Sequence, residues 1–199
     1  MARPAQTSQK RQKLIPVVAR AFAELGYRRL TTAELARRCN LRENVLYRLW
    51  PDKKAMFLAA IDYVFDRSVE TWQKLLKDMP DRKTAAQRLL AYEAGHLGEF
   101  GLHRIVFAGL SESDDPEIRQ ALVRMYSHFQ TFICEQVETH RDGGGKSPEA
   151  ALAAWAIIGL GTVTNIGREL GIVSAADRRK LMEQVGQFLL DGINAGRRK

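Results

Sequence analysis

The pattern of apolar and polar positions is most informative between Thr31 and Lys53, where it predicts two short helices joined by a tight turn. Thr31 and Glu34 have the spacing of a capping box, in which each side chain satisfies a free backbone N–H. The apolar face of the first helix follows at helical spacing: Leu35, Ala36 and Cys39. Asn40 then tolerates the left-handed backbone conformation in which a helix can end.

The second predicted helix runs from Arg42 to Leu49 and ends before Pro51, because the proline ring blocks its continuation. Three side chains are available to pack: Val45, Leu46 and Leu49. Four others are polar or amphipathic: Arg42, Asn44, Tyr47 and Arg48. Arg and Asn side chains on such a helix suit the edges of guanine and adenine in a DNA major groove. An ordinary helical hairpin with solvated polar residues has the same pattern.

Periodicity along the rest of the chain predicts only helices. The predicted ranges are 10–25, 53–79, 82–97, 102–110, 117–140, 149–170 and 175–194. No segment has the alternation of a strand and no repeat occurs, so we expect an all-α protein with about nine helices. The clearest flexible loop is RDGGGKSP at 141–148.

Charge is distributed unevenly over the 199 residues, whose formal net charge is +8. The chain through Lys54 holds 13 basic and 4 acidic residues, whereas the remainder holds 18 and 19. All the excess positive charge therefore surrounds the two short helices, as expected for a surface that neutralises phosphates. The first 13 residues are polar and basic, and either follow DNA as a flexible arm or form a disordered tail.

Two cysteines and the lack of a secretory signal indicate a reducing cytoplasm. Cys39 is expected to pack in a core, with a redox sensor as the alternative. The uncharged stretch 150–167 reaches the length of a membrane span. Its glycines and polar residues favour a buried helix that packs on its own chain and on a partner, so we expect no membrane.

Few residues suggest catalysis or metal binding. Glu93 with His96, and Glu99 with His103, have spacings compatible with metal ligation, but neither is a recognised zinc pattern. The glycine pair at 159 and 161 follows no strand, which excludes a nucleotide-binding loop. We expect no enzyme activity, no metal and no cofactor.

The segment from Leu14 to Phe65 closely resembles the N-terminal domain of TetR (tetracycline-repressor-like) transcriptional regulators. The matching motifs are Phe22 to Gly26 with Tyr27, Thr31-Thr32, Leu35-Ala36, and Leu46-Tyr47 through Trp50-Pro51 to Lys53. Three residues depart from the pattern: Asn40 replaces the turn glycine, Arg42 the capping serine, and Leu49 a histidine or tyrosine. The recognition helix thereby loses a side-chain cap, and Leu49 lacks the polar group with which histidine or tyrosine would contact DNA.

The resemblance implies two domains. Residues 1–53 would form an N-terminal arm and a three-helix DNA-binding domain, whose core residues 54–65 complete. Residues 54–199 would form a larger helical domain for effector binding and dimerisation. Two helices of that domain are expected to make a four-helix interface with a second copy. The interface candidates are Ala153, Ala156, Gly159, Leu181, Val185, Phe188 and Leu189.

Roles at the DNA follow from the recognition-helix pattern. Base reading is assigned to Arg42, Asn44, Val45 and Arg48. Phosphate contacts are assigned to Thr32, Tyr47 and Lys53. A small-molecule pocket is expected in the larger domain, and its candidate lining residues combine apolar bulk with a few polar tips. They are Tyr92, His96, Phe100, Phe107, Met125, Phe129, Trp155 and Asn165.

The sequence thus predicts a cytoplasmic homodimeric regulator, a repressor released from a palindromic double-stranded DNA operator by an unknown small-molecule effector. The alternative is an effector-independent, constitutive or architectural DNA-binding protein. An enzyme would have to show turnover that depends on a residue such as His96. The sequence does not specify the operator, the target genes, the effector or the sign of regulation.

Overall fold

The protein is described by a computed structural model that covers residues 4–77, 84–96, 98, 101–140 and 147–195. Within these ranges every regular element is a helix, which confirms the all-α prediction. The helices are α1 (Pro4–Arg29), α2 (Thr32–Arg38), α3 (Glu43–Leu49), α4 (Lys53–Lys77), α5 (Ala85–His96), α6 (His103–Leu110), α7 (Pro116–His140), α8 (Pro148–Glu169), α9 (Ala175–Lys180) and α10 (Gly186–Ala195). A π-helical turn, Leu181–Val185, joins α9 to α10, so the described chain has nine continuous helical segments.

Helix α1 begins earlier than the pattern predicted. It starts at Pro4 instead of Lys10 and takes in most of the expected flexible arm. Proline suits a helix start because its missing N–H would have no partner there, and the glutamines and basic residues that follow favour helix. Gly26 interrupts α1 with φ 72°, close to the predicted stop at residue 25.

The chain forms two compact units. The first comprises the described residues of Met1–Ser68 and Phe100–Met125. Its core contains a cluster of three aromatic rings, in which the Phe57 centroid lies 4.9 Å from Phe22 and 4.8 Å from Tyr27. The start of α4 therefore packs on α1. These contacts extend the first unit beyond residue 53, and a functional boundary at residue 53 remains a prediction.

The second unit comprises the described residues of Val69–Glu99 and Tyr126–Lys199. Its core draws on α5, α7, α8 and the C-terminal helices: Ala86, Leu90, Val137, Ala150, Ala153, Met182 and Leu190. Gly186 permits the close approach of α5 and α10, since a Cβ there would lie 2.7 Å from Leu90 Cδ2.

Helix α8 buries only one side within the single chain. Thr164 and Asn165 are buried, whereas Leu152 and Val163 are 69% and 61% exposed. In the described part of the chain, α8 is the one helix whose length and composition would allow it to span a membrane. A helix packed on its own chain and on a partner would have the same one-sided burial.

Candidate nucleic-acid interface

Local sequence fixes the turn between α2 and α3. Thr31 caps α2, and its hydroxyl accepts a hydrogen bond from Glu34 N at 3.2 Å. Asn40 adopts φ 51°, the left-handed conformation that the sequence predicted. The N–H groups of Asn40 and Leu41 donate to carbonyls of α2 at 3.1 and 2.9 Å, so a Schellman motif ends the helix.

Helix α3 separates its buried and exposed residues. Leu46 and Leu49 are at most 4% exposed and fix the helix on the first unit. Asn44, Tyr47 and Arg48 lie on the exposed side, with Val45 partly exposed. Base-reading candidates therefore stand on a helix that is held rigidly from behind, as major-groove recognition requires.

The α3 N-terminus lacks the cap that serine would supply. Arg42 occupies the cap position and makes no side-chain capping hydrogen bond, which confirms the predicted loss. Its guanidinium is exposed, as is that of Arg48, and neither forms an ion pair with any described residue. These two cations flank Asn44 and are available to DNA.

Two of the predicted phosphate contacts lie side by side. The Tyr47 hydroxyl donates to Thr32 Oγ1 at 3.2 Å, and the Thr32 hydroxyl donates to Glu43 Oε1 at 2.8 Å. Thr32 begins α2, whose N-terminal backbone N–H groups favour anions, and its bond to Glu43 reaches the first residue of α3. Glu43, which the sequence analysis did not single out, accepts the hydrogen bond that the Thr32 hydroxyl would otherwise donate to a phosphate.

Lys53 is held by the protein itself. Its ammonium donates to the carbonyls of Tyr27 and Leu30 at 2.9 and 3.1 Å and lies 4.6 Å from the centroid of the Tyr27 ring. It thereby satisfies carbonyls at the end of α1 and ties them to the start of α4. Sequence reasoning missed this role, and a phosphate contact would use the one remaining ammonium proton.

Several other cations near α2 are already neutralised. Arg37 and Arg38 both donate to the Glu34 carboxylate, which lowers the pKa of Glu34 to about 2. Arg38 also pairs with Glu24 at 2.5 Å. The positive charge of this region is therefore divided between structural pairs and the unpaired Arg42 and Arg48. Because Glu34 binds these arginines, the capping box that the sequence predicted forms only through Thr31.

The sequence profile of the bacterial regulatory proteins of the tetR family matches residues 17–60. Nucleoid occlusion factor SlmA of Escherichia coli is 32% identical over 139 residues, which span 67% of this chain and 69% of that protein. SlmA of Alteromonas mediterranea is 22% identical over 179 residues, 89% and 91% of the two chains. A TetR-family regulator from Cytophaga hutchinsonii has the same fold, with a TM-score of 0.74, 16% identity and coverage of 94% and 96%.

The chain belongs to the TetR family. It is a DNA-binding transcriptional regulator with an N-terminal helix-turn-helix, as the motifs predicted, and at the level of the family it is a regulator, not an enzyme. Regulators of this family bind DNA and usually form dimers. Helices α2 and α3 both lie within the residues that match the family profile.

The TetR ligand-pocket candidates belong to both units. Phe107 and the buried Met125 lie in the first unit. The second unit holds Tyr92, His96, Phe129, Trp155 and Asn165. Phe100 lies outside the described residues. Trp155 is 48% exposed, whereas Asn165 is buried and its Oδ1 accepts no hydrogen bond from any described residue.

In the first of the two pairs whose spacing is compatible with metal ligation, both side chains have other partners. His96 is exposed, stacks on Tyr92 with centroids 4.2 Å apart, and places Nδ1 2.9 Å from the Tyr92 carbonyl oxygen. Glu93 instead accepts a hydrogen bond from Trp72 Nε1 at 2.7 Å. Glu99 lies outside the described residues. In the described ranges, no three His, Cys, Asp or Glu side chains are close enough to share a metal ion.

The dimer candidates differ in exposure. Ala156, Gly159, Val185 and Phe188 are exposed, Leu181 and Leu189 are partly exposed, and Ala153 packs in the core of its own unit. Three further α8 residues, which the sequence analysis missed, extend the exposed face: Leu152, Val163 and Ile166. The available signal was helical spacing: Leu152 precedes Trp155 by three positions, Val163 follows Gly159 by four, and Ile166 follows Val163 by three.

Proposed function

We propose that this TetR-family protein is a cytoplasmic homodimeric repressor, released from a palindromic operator by a small-molecule effector. The observation that carries the proposal is the exposed face of α3, where Asn44 stands between two unpaired cations, Arg42 and Arg48. This face has the donors and acceptors to read base edges, and no described residue covers its charges.

The proposed contacts fall into two groups. Arg42, Asn44, Val45 and Arg48 read bases, because α3 presents them away from its buried leucines. Thr32 and Tyr47 together bind one phosphate. In that complex the Thr32 hydroxyl donates to a phosphate oxygen instead of to Glu43. Lys53 contributes its remaining proton to a phosphate while it anchors the end of α1.

The proposed dimer uses the exposed face of α8 together with α10. Apolar residues continue along α8 for about four turns at one side, and Phe188 of α10 is 74% exposed. A second copy that covers this face removes it from water, and burial of apolar surface favours association. Two-fold symmetry then sets two α3 helices about one DNA turn, roughly 34–36 Å, apart.

Effector release requires that the effector bind one arrangement of the dimer more tightly than the other. The favoured arrangement then places the two α3 helices at a separation that no longer matches the half-sites. The effector is expected in the second unit, whose residues include five of the eight pocket candidates.

A second candidate is a DNA-binding protein that acts without an effector. The observation in its favour is the similarity to relatives that are nucleoid occlusion factors, over most of the chain's length in one case. Such a protein would keep the α3 contacts and the dimer, and no small molecule would change its affinity for DNA.

Selection of bound sequences from random duplex DNA tests the proposal first. A recovered palindrome whose half-sites are about one turn apart supports a sequence-specific dimer and supplies the probe for effector screening. Salt-sensitive binding with no shared motif contradicts operator recognition and favours a sequence-independent binder. A palindrome whose affinity no compound changes favours the effector-independent protein.

A further inference from the structure

The second unit contains a carboxylate that no lysine or arginine of the described residues neutralises. Glu93 of α5 is partly buried, and its Oε1 accepts a hydrogen bond from Trp72 Nε1 at 2.7 Å. Burial raises the pKa of Glu93, which the bond from Trp72 and the nearby His96 only partly oppose. No lysine or arginine pairs with Glu93 in the part of the chain that the structure describes.

Aromatic rings surround the same position. Trp72 is 8% exposed, and its ring centroid lies 5.7 Å from that of Phe129 and 5.3 Å from that of Phe132. Indole and phenyl rings carry negative charge on their faces, so they attract cations and repel anions. The rings and the carboxylate therefore favour the same sign of charge.

A second acceptor of this unit also lacks a donor. Asn165 of α8 is 9% exposed, and its Oδ1 makes no hydrogen bond with any described residue. A Cβ at Gly98, which follows α5, would lie 2.5 Å from this oxygen and 3.1 Å from Arg168 Nη1, so the Asn165 amide and a guanidinium both adjoin the chain just beyond the helix that carries Glu93. Buried acceptors without donors cost free energy that a donor group can recover.

These observations share one requirement. The Glu93 Oε2 atom has no described partner, Asn165 Oδ1 has none, and the rings add attraction for positive charge. What the described surroundings of Glu93 lack is a lysine or arginine that donates to it, and a protonated amine supplies both the charge and the donors. An anionic ligand would meet a carboxylate and ring faces, and would be repelled by both.

We propose that the second unit binds an organic ammonium ion with an apolar or aromatic body. Its ammonium group donates to Glu93, and its body packs against Trp72 and Phe129. Because this names the chemical class of the effector, it rests on the proposed effector-responsive function. Phe129 was among the residues that the sequence predicted for a pocket, whereas Glu93 was considered only as a metal ligand.

Isothermal titration of the full-length protein with three probes of similar size tests the proposal. The probes are 2-phenylethylammonium, neutral 2-phenylethanol and anionic 3-phenylpropionate. We expect the ammonium ion to bind at least about tenfold more tightly than the alcohol, since a charge-assisted hydrogen bond contributes that much. Equal affinities for the three probes, or no binding of any of them, overturn the proposal.

Variants assign the preference to one carboxylate. Glu93→Gln keeps the size of the side chain and is expected to abolish the preference for the ammonium probe. Glu135→Gln, at an exposed position of α7, is the matched control and is expected to retain it. Thermal melting of both variants checks that they are folded, and Glu93→Asp, which keeps the charge, is expected to restore part of the preference. An unchanged preference in Glu93→Gln overturns the assignment.

Operator binding separates this inference from the proposed function. Glu93-dependent ammonium binding that leaves operator affinity unchanged supports the site and contradicts its role in release. No ammonium preference, combined with release of DNA by another compound, contradicts the site and supports an effector-responsive repressor.

Discussion

The two units differ in how much of their apolar surface a single chain buries. In the first unit Phe22, Leu35 and Phe57 are fully buried, and the α3 surface that remains is polar and cationic. In the second unit α8 leaves a continuous apolar face in water, with Phe188 of α10 also exposed. The first unit buries its large aromatic side chains and exposes positive charge at α3, whereas the exposed apolar face of the second unit is of the kind that protein–protein interfaces have.

The largest expected change in the free energy of unfolding comes from a cavity made in the core of the first unit. Phe22→Ala removes a buried ring that contacts Phe57, and should lower the free energy of unfolding by about 3–5 kcal/mol. Phe188→Ala, at an exposed position, is the matched control and should change the free energy of unfolding within the chain by less than about 0.5 kcal/mol. Urea denaturation of dilute protein measures both. Similar losses for the two variants would contradict the contrast between the units.

Dimerisation should depend on the exposed face of α8. Val163→Glu places a charge on this face, and a buried charge without a partner costs several kcal/mol, about 3 or more. We expect a dimer-to-monomer change in sedimentation, with helix content retained. Val123→Glu introduces the same charge at a residue of the first unit with similar exposure, 50% against 61%, and should leave the mass unchanged. A dimeric Val163→Glu protein would place the interface elsewhere.

Contacts at the DNA should separate into two kinds. Asn44→Ala is expected to cost about 1–3 kcal/mol on the operator and to relax specificity, because it removes a base-edge pair. Tyr47→Ala should weaken operator and random DNA alike, since its hydroxyl lies beside Thr32 at a phosphate position. Fluorescence anisotropy with both duplexes measures the ratio of the affinity for the operator to the affinity for random DNA. Equal losses on both duplexes for both variants would reject the assignment.

How far the sequence predicted this molecule depends on how local each feature is. The Thr31 cap and the left-handed Asn40 were predictable because both involve neighbours in the chain. The carbonyl contacts of Lys53 were not, because folding brings residues 23 and 26 positions away to its ammonium. Glu34 was assigned to a capping box, but the charged bonds from Arg37 and Arg38 are stronger than one to a backbone N–H.

The second unit was less predictable for the same reason. Its helices and its apolar content follow from periodicity, but which face of α8 stays exposed depends on packing that no local motif encodes. Trp155 illustrates the difficulty, since a tryptophan expected to line a pocket is half exposed on α8. Glu93 and Trp72 are 21 positions apart, and no sequence motif indicated that their side chains would form a hydrogen bond.

Lys53 offers a test of whether a family motif serves folding or DNA binding. Lys53→Met keeps the apolar stem but leaves two carbonyl oxygens without their donor, and should lower the free energy of unfolding by about 1–3 kcal/mol. Arg48→Met, at an exposed position without a described ion pair, should leave stability unchanged and weaken DNA binding. Melting curves and DNA titration distinguish them. Weaker DNA binding by Lys53→Met with no loss of stability would mean that the Lys53 ammonium serves only to bind phosphate.

The smallest effect concerns the acid stability of the first unit. The two arginines hold the pKa of Glu34 at about 2 against an ordinary value of 4.5. Because the folded-state pKa is the lower one, the stabilisation is complete above about pH 4.5 and is lost as the pH falls towards 2. Glu34→Gln should therefore narrow the difference in melting temperature between pH 6 and pH 2.5. The pair is exposed, so the change should be small and should shrink further at high salt, because solvent and ions screen surface charges. An identical acid dependence in the wild type and Glu34→Gln would show that the arginines do not lower the pKa of Glu34 relative to the unfolded chain.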